Sequence, residues 1–260
     1  MPTPIATGPS TGAHGARRRV LVINPNTSES VTALVLHHCR LAHPDLDWQG
    51  ATSRLGAAYI SSEAAYALAA HAVLETYADH ADGHDAVLIA CFGDPGLLAL
   101  REIAPVPVIG LAQASMEIAR KQGRFAVVTG GRAWEPMLHR FARLHQLDAA
   151  LVGIHTVELT GAQIAAAPDA ALDALHGAAM RGVHDGAASI VLGGAGLGGL
   201  ASRLQGRVPV PVHDNVLLAA QVVADALQVN GKPSAVVRSG PATPLVGVGP
   251  ALTRLMADPG

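Results

Sequence analysis

Short apolar runs separated by longer helical segments make up most of this chain. The apolar runs cover residues 19–24, 87–90, 106–109, 125–131 and 190–193, and Gly, Pro or Asn follows most of them, as expected for buried strands. Between the runs, the periodicity predicts helices over residues 28–41, 61–79, 96–103, 113–122, 200–205 and 215–228. Strands that alternate with helices predict an α/β fold with parallel sheets.

The two halves of the chain repeat this pattern at nearly constant spacing. The run that ends at Asn24 resembles the one that contains Thr129, and the run before Cys91 resembles the one before Gly194. A third pair, the Val-Pro-Val at 106–108 and at 210–212, keeps the same order. We therefore expect two similar Rossmann-like (flavodoxin-like) lobes related by a pseudo-twofold axis, with the active site in the cleft between them. The alternative is that unrelated βα units look alike because they obey the same physics.

The predicted boundaries follow from this duplication. Lobe 1 comprises residues 19–118 and 215–230, and lobe 2 comprises residues 119–214. Residues 1–18 are rich in Gly, Pro, Ser and Thr without a signal-peptide apolar segment, so they are predicted to be a disordered leader. Residues 231–260 form a Pro- and Gly-rich C-terminal tail of unassigned role.

Composition limits the partners. The chain has 260 residues, half of them hydrophobic and 3% aromatic, and a formal net charge of −2 without a basic block. Such a charge argues against a nucleic-acid or membrane-surface partner and favours a small-molecule substrate, while a homo-oligomer is compatible with it. No run is long enough to span a membrane. Two cysteines in so long a chain are typical of the reducing cytoplasm.

Candidate chemistry centres on Cys91, which follows a strand and precedes the turn Phe92-Gly-Asp-Pro-Gly. The carboxyl edge of a parallel sheet is where ligands bind, so the thiol is predicted to face the cleft. The alternative is a small buried hydrophobic residue, which is our interpretation of Cys39. Asp94 is predicted to cap the following helix.

The other predicted site residues are those that follow strands. Asn24 and Thr129 supply side-chain donors, and the loops at Gly93, Gly130 and Ala195 supply backbone amides that stabilise an oxyanion. Phe92 and Gly194 complete the predicted substrate-binding set.

Four motifs together resemble the aspartate/glutamate racemase superfamily, and its hydantoin racemase branch in particular. They are I-N-P-N-T-S at 23–28, A-C-F-G-D-P-G at 90–96, V-V-T-G-G at 127–131 followed by Trp134, and V-L-G-G-A-G at 191–196. The resemblance implies a cofactor-independent enzyme in which two facing cysteines remove and return a proton at an acidic carbon. It assigns the first cysteine to Cys91 and the second to position 194, which is glycine here.

This departure changes the expected chemistry, because glycine can neither take nor donate a proton. One thiol still permits proton transfer on a single face of an enolate, as in the similar one-cysteine enzyme arylmalonate decarboxylase. His213 follows a strand and is a candidate substitute base, although a histidine packed away from the cleft is the alternative.

Other interpretations are less well supported. Gly194-Ala-Gly-Leu-Gly-Gly matches a dinucleotide-binding motif, but the predicted helix after it is short. His80 and His84 have metal-compatible spacing in a polar setting, and no metal site is predicted. A cysteine hydrolase with His213 as its base, or a binding protein without activity, stays open.

Overall fold

The computed structural model describes residues 17–80, 82–229 and 246–257. Most of the predicted leader, residues 1–16, lies outside the described residues. The same holds for residues 231–245 and 258–260 of the predicted tail.

Two parallel sheets of four strands each lie within the described residues. The first has the order β2-β1-β3-β4 and is built from β1 (Arg19–Asn24), β2 (Asp47–Thr52), β3 (Ala86–Ile89) and β4 (Val108–Gly110). The second has the order β6-β5-β7-β8 and is built from β5 (Phe125–Gly130), β6 (Leu151–Val157), β7 (Ser189–Gly193) and β8 (Val212–Asp214). The shared strand order confirms the predicted α/β class with two similar lobes.

Helices cover both sheets. They are α1 (Glu29–Ala42), α2 (Glu63–His80), α3 (Leu97–Ile103), α4 (Leu111–Gln122), α5 (Trp134–Leu144), α6 (Gly161–Ala166), α7 (Pro168–His184), α8 (Ala201–Gln205), α9 (Asn215–Val229) and α10 (Pro250–Ala257). A short 3₁₀ turn, Ala195–Leu197, follows β7. Helix α4 packs on β7 of the second sheet, whereas α9 packs on β3 of the first sheet and on α4. The two lobes are therefore joined by α4 and α9, each of which packs on a sheet and on the other helix.

The register of the two sheets relates the halves residue by residue. Ile23 pairs with Ile89 in the first sheet, so Asn24 lies beside Ala90, and Thr129 pairs with Gly193 in the second. Ala90 and Gly193 are thus equivalent, and the next residue is Cys91 in one lobe and Gly194 in the other. The structure thus supports the equivalence that the sequence repeat suggested.

Local sequence explains where two elements begin. Pro105 and Pro107 have no N–H to donate, so β4 starts at Val108 rather than at residue 106. Helix α1 has Ser28 as its N-cap, in extended conformation, but the Ser28 hydroxyl contacts Ser30 instead of a helix N–H. Helix α1 therefore begins within one residue of the predicted start, without a side-chain cap.

Helix α10 packs on α2 of the first lobe. Leu252 is 1% exposed and belongs to the apolar core under α2, and the Gly249 N–H donates to Glu75 at 2.7 Å. The described part of the predicted tail is therefore bound to the first lobe. None of the described helices has both the length and the hydrophobicity that spanning a bilayer requires.

Candidate active site

Cys91 lies in the loop that leaves β3 at the carboxyl edge of the first sheet. Only 7% of the residue is exposed, and the thiol is free. Burial, and then the nearby Asp94 carboxylate, raises the pKa of the Cys91 thiol well above its usual range. The resting form is consequently the thiol rather than the thiolate.

Gly194 occupies the equivalent place after β7, in a backbone conformation that only glycine adopts readily. Its φ is +144° and its ψ is 131°. A Cβ at this position would lie 2.9 Å from Leu197 Cδ1 and 4.0 Å from Thr129 Oγ1. A side chain at position 194 would be strained by this φ and would have to displace the end of the Leu197 side chain.

The two loops face each other across a cavity between the lobes. The Phe92 ring lies against Gly193 so closely that a Cβ there would overlap it. The cavity is partly open to solvent. From the first lobe it is lined by Asn26, Val31, Ala58, Tyr59, Ile60, Ala90, Cys91 and Phe92. From the second lobe it is lined by Thr129, Gly130, Trp134, Gly161, Ala162, Gly194, Ala195, Gly196 and Leu197.

The lining is uncharged at neutral pH. Among these described residues there is no Asp, Glu, Lys, Arg or His, and the titratable groups are Cys91 and Tyr59. Burial raises the pKa of Tyr59, whose hydroxyl donates to the Gly130 carbonyl at 3.0 Å. A charged ligand group would find no counter-ion here, so the cavity suits a neutral molecule.

Backbone donors are available beside both loops. Within the described part of the chain, the N–H groups of Phe92 and Ala195 have no acceptor. These residues follow Cys91 and Gly194, so they are equivalent in the two lobes. Such donors can stabilise an oxyanion that forms in the cavity.

Comparisons with known proteins place this geometry in a family. Residues 20–223 match the family described as Asp/Glu/Hydantoin racemase. The hydantoin racemase of Rhizobium meliloti is 34% identical over 212 residues, which cover 79% of this chain and 87% of that protein. The chain belongs to the Asp/Glu/hydantoin racemase family.

Structural relatives agree with this assignment. The allantoin racemase from Klebsiella pneumoniae has a TM-score of 0.83 and 30% identity, and the match covers 92% of this chain and 98% of that one. Arylmalonate decarboxylase has a TM-score of 0.58 at 17% identity over 84% of this chain and 96% of that one, so it shares the fold. The predicted family and its hydantoin racemase branch are confirmed, and the protein is an enzyme of the racemase type.

The structure brings six of the nine predicted site residues of this racemase-family protein to the cavity. They are Cys91, Phe92, Thr129, Gly130, Gly194 and Ala195. Asn24 is fully buried instead, where its amide donates to Asn26 Oδ1, the Ser28 carbonyl and Thr32 Oγ1. It orders the loop that carries Asn26 into the cavity.

Gly93 lies behind the cavity rather than in its wall. Its carbonyl accepts a hydrogen bond of 2.7 Å from the Tyr66 hydroxyl, and a Cβ on it would lie 2.6 Å from the Trp134 ring. Its φ of +144° also requires glycine. Gly93 therefore allows Trp134 of the second lobe to cover the Cys91 loop.

His213 is not brought to Cys91. Its Nε2 lies 2.9 Å from Gln122 Oε1 of α4, and it does not line the cavity. Val212 and Asp214 on either side are buried, so the alternation along β8 turns His213 to the opposite side. The histidine base that we considered for a racemase or a hydrolase is absent from the described cavity wall.

Asp94 caps a helix, but not the one that follows it. Its carboxylate oxygens accept from the N–H groups of Ala112 at 2.9 Å and Gln113 at 2.8 Å, in the first turn of α4. The predicted cap on α3 was wrong, because the Asp94 backbone, with φ +50°, turns the side chain towards β4 and α4.

The Gly-rich motif after β7 lacks the helix that a dinucleotide site needs. A 3₁₀ turn and the five-residue helix α8 follow it. The described helix that directly follows the motif is therefore too short for a dinucleotide-binding crossover.

Sequence reasoning missed several lining residues, above all Tyr59 and Trp134. Tyr59 belongs to the loop after β2, a strand that the apolar pattern did not reveal. Recognition of β2 would have placed this loop at the same sheet edge as Cys91. Trp134 was noted in a motif, but its contact with Gly93 depends on how the two lobes meet.

Proposed function

We propose that this protein is a cofactor-independent enzyme that moves a proton at the acidic carbon of a small hydantoin-like molecule, on one face, through Cys91. The observation that carries the proposal is the pairing across the cavity: a thiol on one side and, at the equivalent position, a glycine covered by Leu197. A cavity built in this way has one group suited to exchange a proton with carbon.

The uncharged lining supports a neutral ring as the substrate. A hydantoin is neutral, and its ring carbon between a carbonyl and a nitrogen is acidic because the carbanion is delocalised onto oxygen. Relatives named hydantoin racemase and allantoin racemase support the same class, since allantoin is itself a substituted hydantoin. Val31, Ile60 and Leu197 line the cavity and favour an apolar substituent on the ring.

The proposed step balances within the thiol and the substrate. The Cys91 thiolate takes the carbon-bound proton and leaves the electron pair in an enolate, whose oxygen is stabilised by the free N–H of Phe92 or Ala195. The thiol exchanges its proton with solvent and returns one to the same face. Since the pKa of Cys91 is raised, we expect the rate to increase as the pH rises and thiolate forms.

The decarboxylase alternative fits the cavity less well. A malonate-type substrate carries two carboxylates, and none of the described lining residues is cationic. A single thiol is the feature that still favours it, so a malonate belongs in the substrate panel.

The cell compartment is a further part of the proposal. Cys39 and Cys91 are both free thiols, and we place the protein in the cytoplasm, where thiols stay reduced.

Replacement of Cys91 tests the proposal. Cys91→Ala should reduce the rate of deuterium exchange at the ring carbon of a 5-alkylhydantoin by about 10² to 10⁴-fold, because it removes the general acid–base group. Cys39→Ala is the matched control: Cys39 is fully buried in α1, and burial raises its pKa to about 12. We expect that control to retain wild-type rate constants. A Cys91→Ala rate within about threefold of wild type would refute the role of Cys91.

A further inference from the structure

The helices α4 and α9 are equivalent in the two lobes, and each has an aspartate at its N terminus. The two aspartates lie at different positions in their lobes. In lobe 2, Asp214 at the end of β8 accepts from the N–H groups of Val216 at 3.0 Å and Leu217 at 3.2 Å, in the first turn of α9. In lobe 1, Gly110 occupies the equivalent strand end, and the same two helix positions are capped by Asp94 from the Cys91 loop.

The loop after Cys91 and the loop after Gly194 have the same backbone hydrogen bonds. The different position of the capping aspartate is therefore not an error of alignment. The N–H of Asp94 donates to the Cys91 carbonyl at 3.0 Å, as the N–H of Leu197 donates to the Gly194 carbonyl at 2.9 Å. The N–H groups of Leu97 and Leu200 then donate to the Asp94 and Leu197 carbonyls, each at 3.2 Å. Asp94 and Leu197 are therefore counterparts.

Gly110 is part of the same arrangement. Its backbone is extended, with φ −106° and ψ 146°, a conformation open to any residue. A Cβ at this position would nevertheless overlap the Asp94 carboxyl group. Because residue 110 is glycine, the Asp94 carboxylate of the Cys91 loop can lie against the end of β4.

We propose that Asp94 is a positioning residue for Cys91: its buried carboxylate ties the Cys91 loop to α4, fixes the thiol at the cavity and, as an anion, opposes formation of the thiolate. This inference rests on the proposed role of Cys91 in proton transfer. Lobe 2 ties its loop to α9 from the helix side instead: Asp214 Oδ2 accepts from the Gly199 N–H at 2.6 Å, and the Asn215 amide donates to the Gly194 carbonyl at 3.1 Å. The difference is that the lobe 1 loop itself carries the carboxylate, three residues after the thiol.

The charges around Asp94 agree with this role. It is 2% exposed and faces Cys91 of its own loop, Tyr66 of α2 and Arg101 of α3, while the neighbouring side chain of α4, Gln113, is neutral. Burial raises the pKa of Asp94 to about 7, against the effect of its backbone donors and of Arg101. The carboxylate is therefore fully charged only above neutral pH, where the thiol must ionise.

Alkylation of Cys91 tests the electrostatic part without any substrate. In a Cys39→Ala background, the rate of Cys91 modification by iodoacetamide is followed against pH for wild type, Asp94→Asn and Asp214→Asn. Loss of a nearby negative charge should move the midpoint of the Asp94→Asn profile down by about one unit, which is about tenfold more thiolate below the midpoint. Asp214→Asn should leave the midpoint in place. An unmoved midpoint in Asp94→Asn, or an equal shift in both variants, would overturn the proposal.

A second variant separates positioning from helix capping. Asp94→Gly with Gly110→Asp moves the carboxylate from the loop to the strand end, as in lobe 2, and glycine tolerates the positive φ at 94. We expect it to melt near the wild-type temperature yet to lose at least about tenfold in kcat for proton exchange, with a smaller change in KM. Wild-type kcat in this variant would show that Cys91 does not need a carboxylate on its own loop for its positioning. If wild type itself exchanges no proton, the proposed function fails, while the alkylation profile still tests Asp94.

Discussion

At the residue scale, the difference between the two lobes lies at one pair of positions. Cys91 and Gly194 follow equivalent strands and face one cavity, but only one of them carries a proton-transfer group. Leu197 and the positive φ at Gly194 show that the second position is built around glycine, rather than being a site from which a thiol was simply removed.

Gly194→Cys should therefore not produce a two-base racemase. A side chain at φ +144° is strained by about 1–3 kcal/mol, and it would also push against Leu197. We expect a lower free energy of unfolding and slower proton exchange, measured by urea denaturation and by deuterium incorporation, with no loss of enantiomeric excess over time. Gly206→Cys is the control, because its Cβ would meet nothing within 4 Å, and it should be nearly neutral. Rapid racemisation by Gly194→Cys at wild-type stability would contradict this account.

At the scale of elements, the apolar runs predicted the buried strands well. β1, β3, β5 and β7 are almost wholly buried and read as continuous apolar segments. The edge strands β2 and β6 were missed, since half-exposed strands such as Asp47–Thr52 carry mixed residues. Cys91 and Thr129 were predictable because they follow buried strands, whereas Tyr59 depended on the missed β2.

The apolar pattern did not predict helix α10 either. Its fully buried residue, Leu252, packs in the core under α2, which is distant in sequence. Leu252→Ala should lower the free energy of unfolding by about 2–5 kcal/mol, since it leaves a cavity under α2. Val246→Ala, at a side chain that is 94% exposed, should change it by less than about 0.5 kcal/mol. Equal urea midpoints for the two variants would show that α10 does not support the first lobe.

At the scale of the whole molecule, the cavity exists because the lobes meet in a fixed arrangement. Trp134 of lobe 2 covers Gly93 of lobe 1, and the Tyr59 hydroxyl of lobe 1 donates to Gly130 of lobe 2. The ion pair between Arg140 and Glu63 also joins the lobes, but both side chains are exposed, so it contributes little. These contacts depend on the assembled fold, which is why sequence spacing did not reveal them.

Tyr59→Phe should weaken this arrangement. It leaves the Gly130 carbonyl without its donor, which costs about 1–3 kcal/mol for a buried group, and it should raise KM because Tyr59 lines the cavity. Tyr77→Phe is the control, since Tyr77 is buried in the first lobe and its hydroxyl makes no hydrogen bond to a described residue. Thermal melts and steady-state kinetics of the pair measure the difference, and identical behaviour would argue against a role for Tyr59 between the lobes.

Solvent exchange on separated enantiomers tests one-sided proton transfer most directly. Each enantiomer of a 5-alkylhydantoin is incubated with the protein in deuterated water, and the uncatalysed rate is subtracted. Because Cys91 lies on one side of the cavity and Gly194 on the other, we expect deuterium to enter one enantiomer much faster than the other, with its configuration retained. Exchange into both enantiomers at similar rates, with loss of enantiomeric excess, would show a second proton donor and contradict the account.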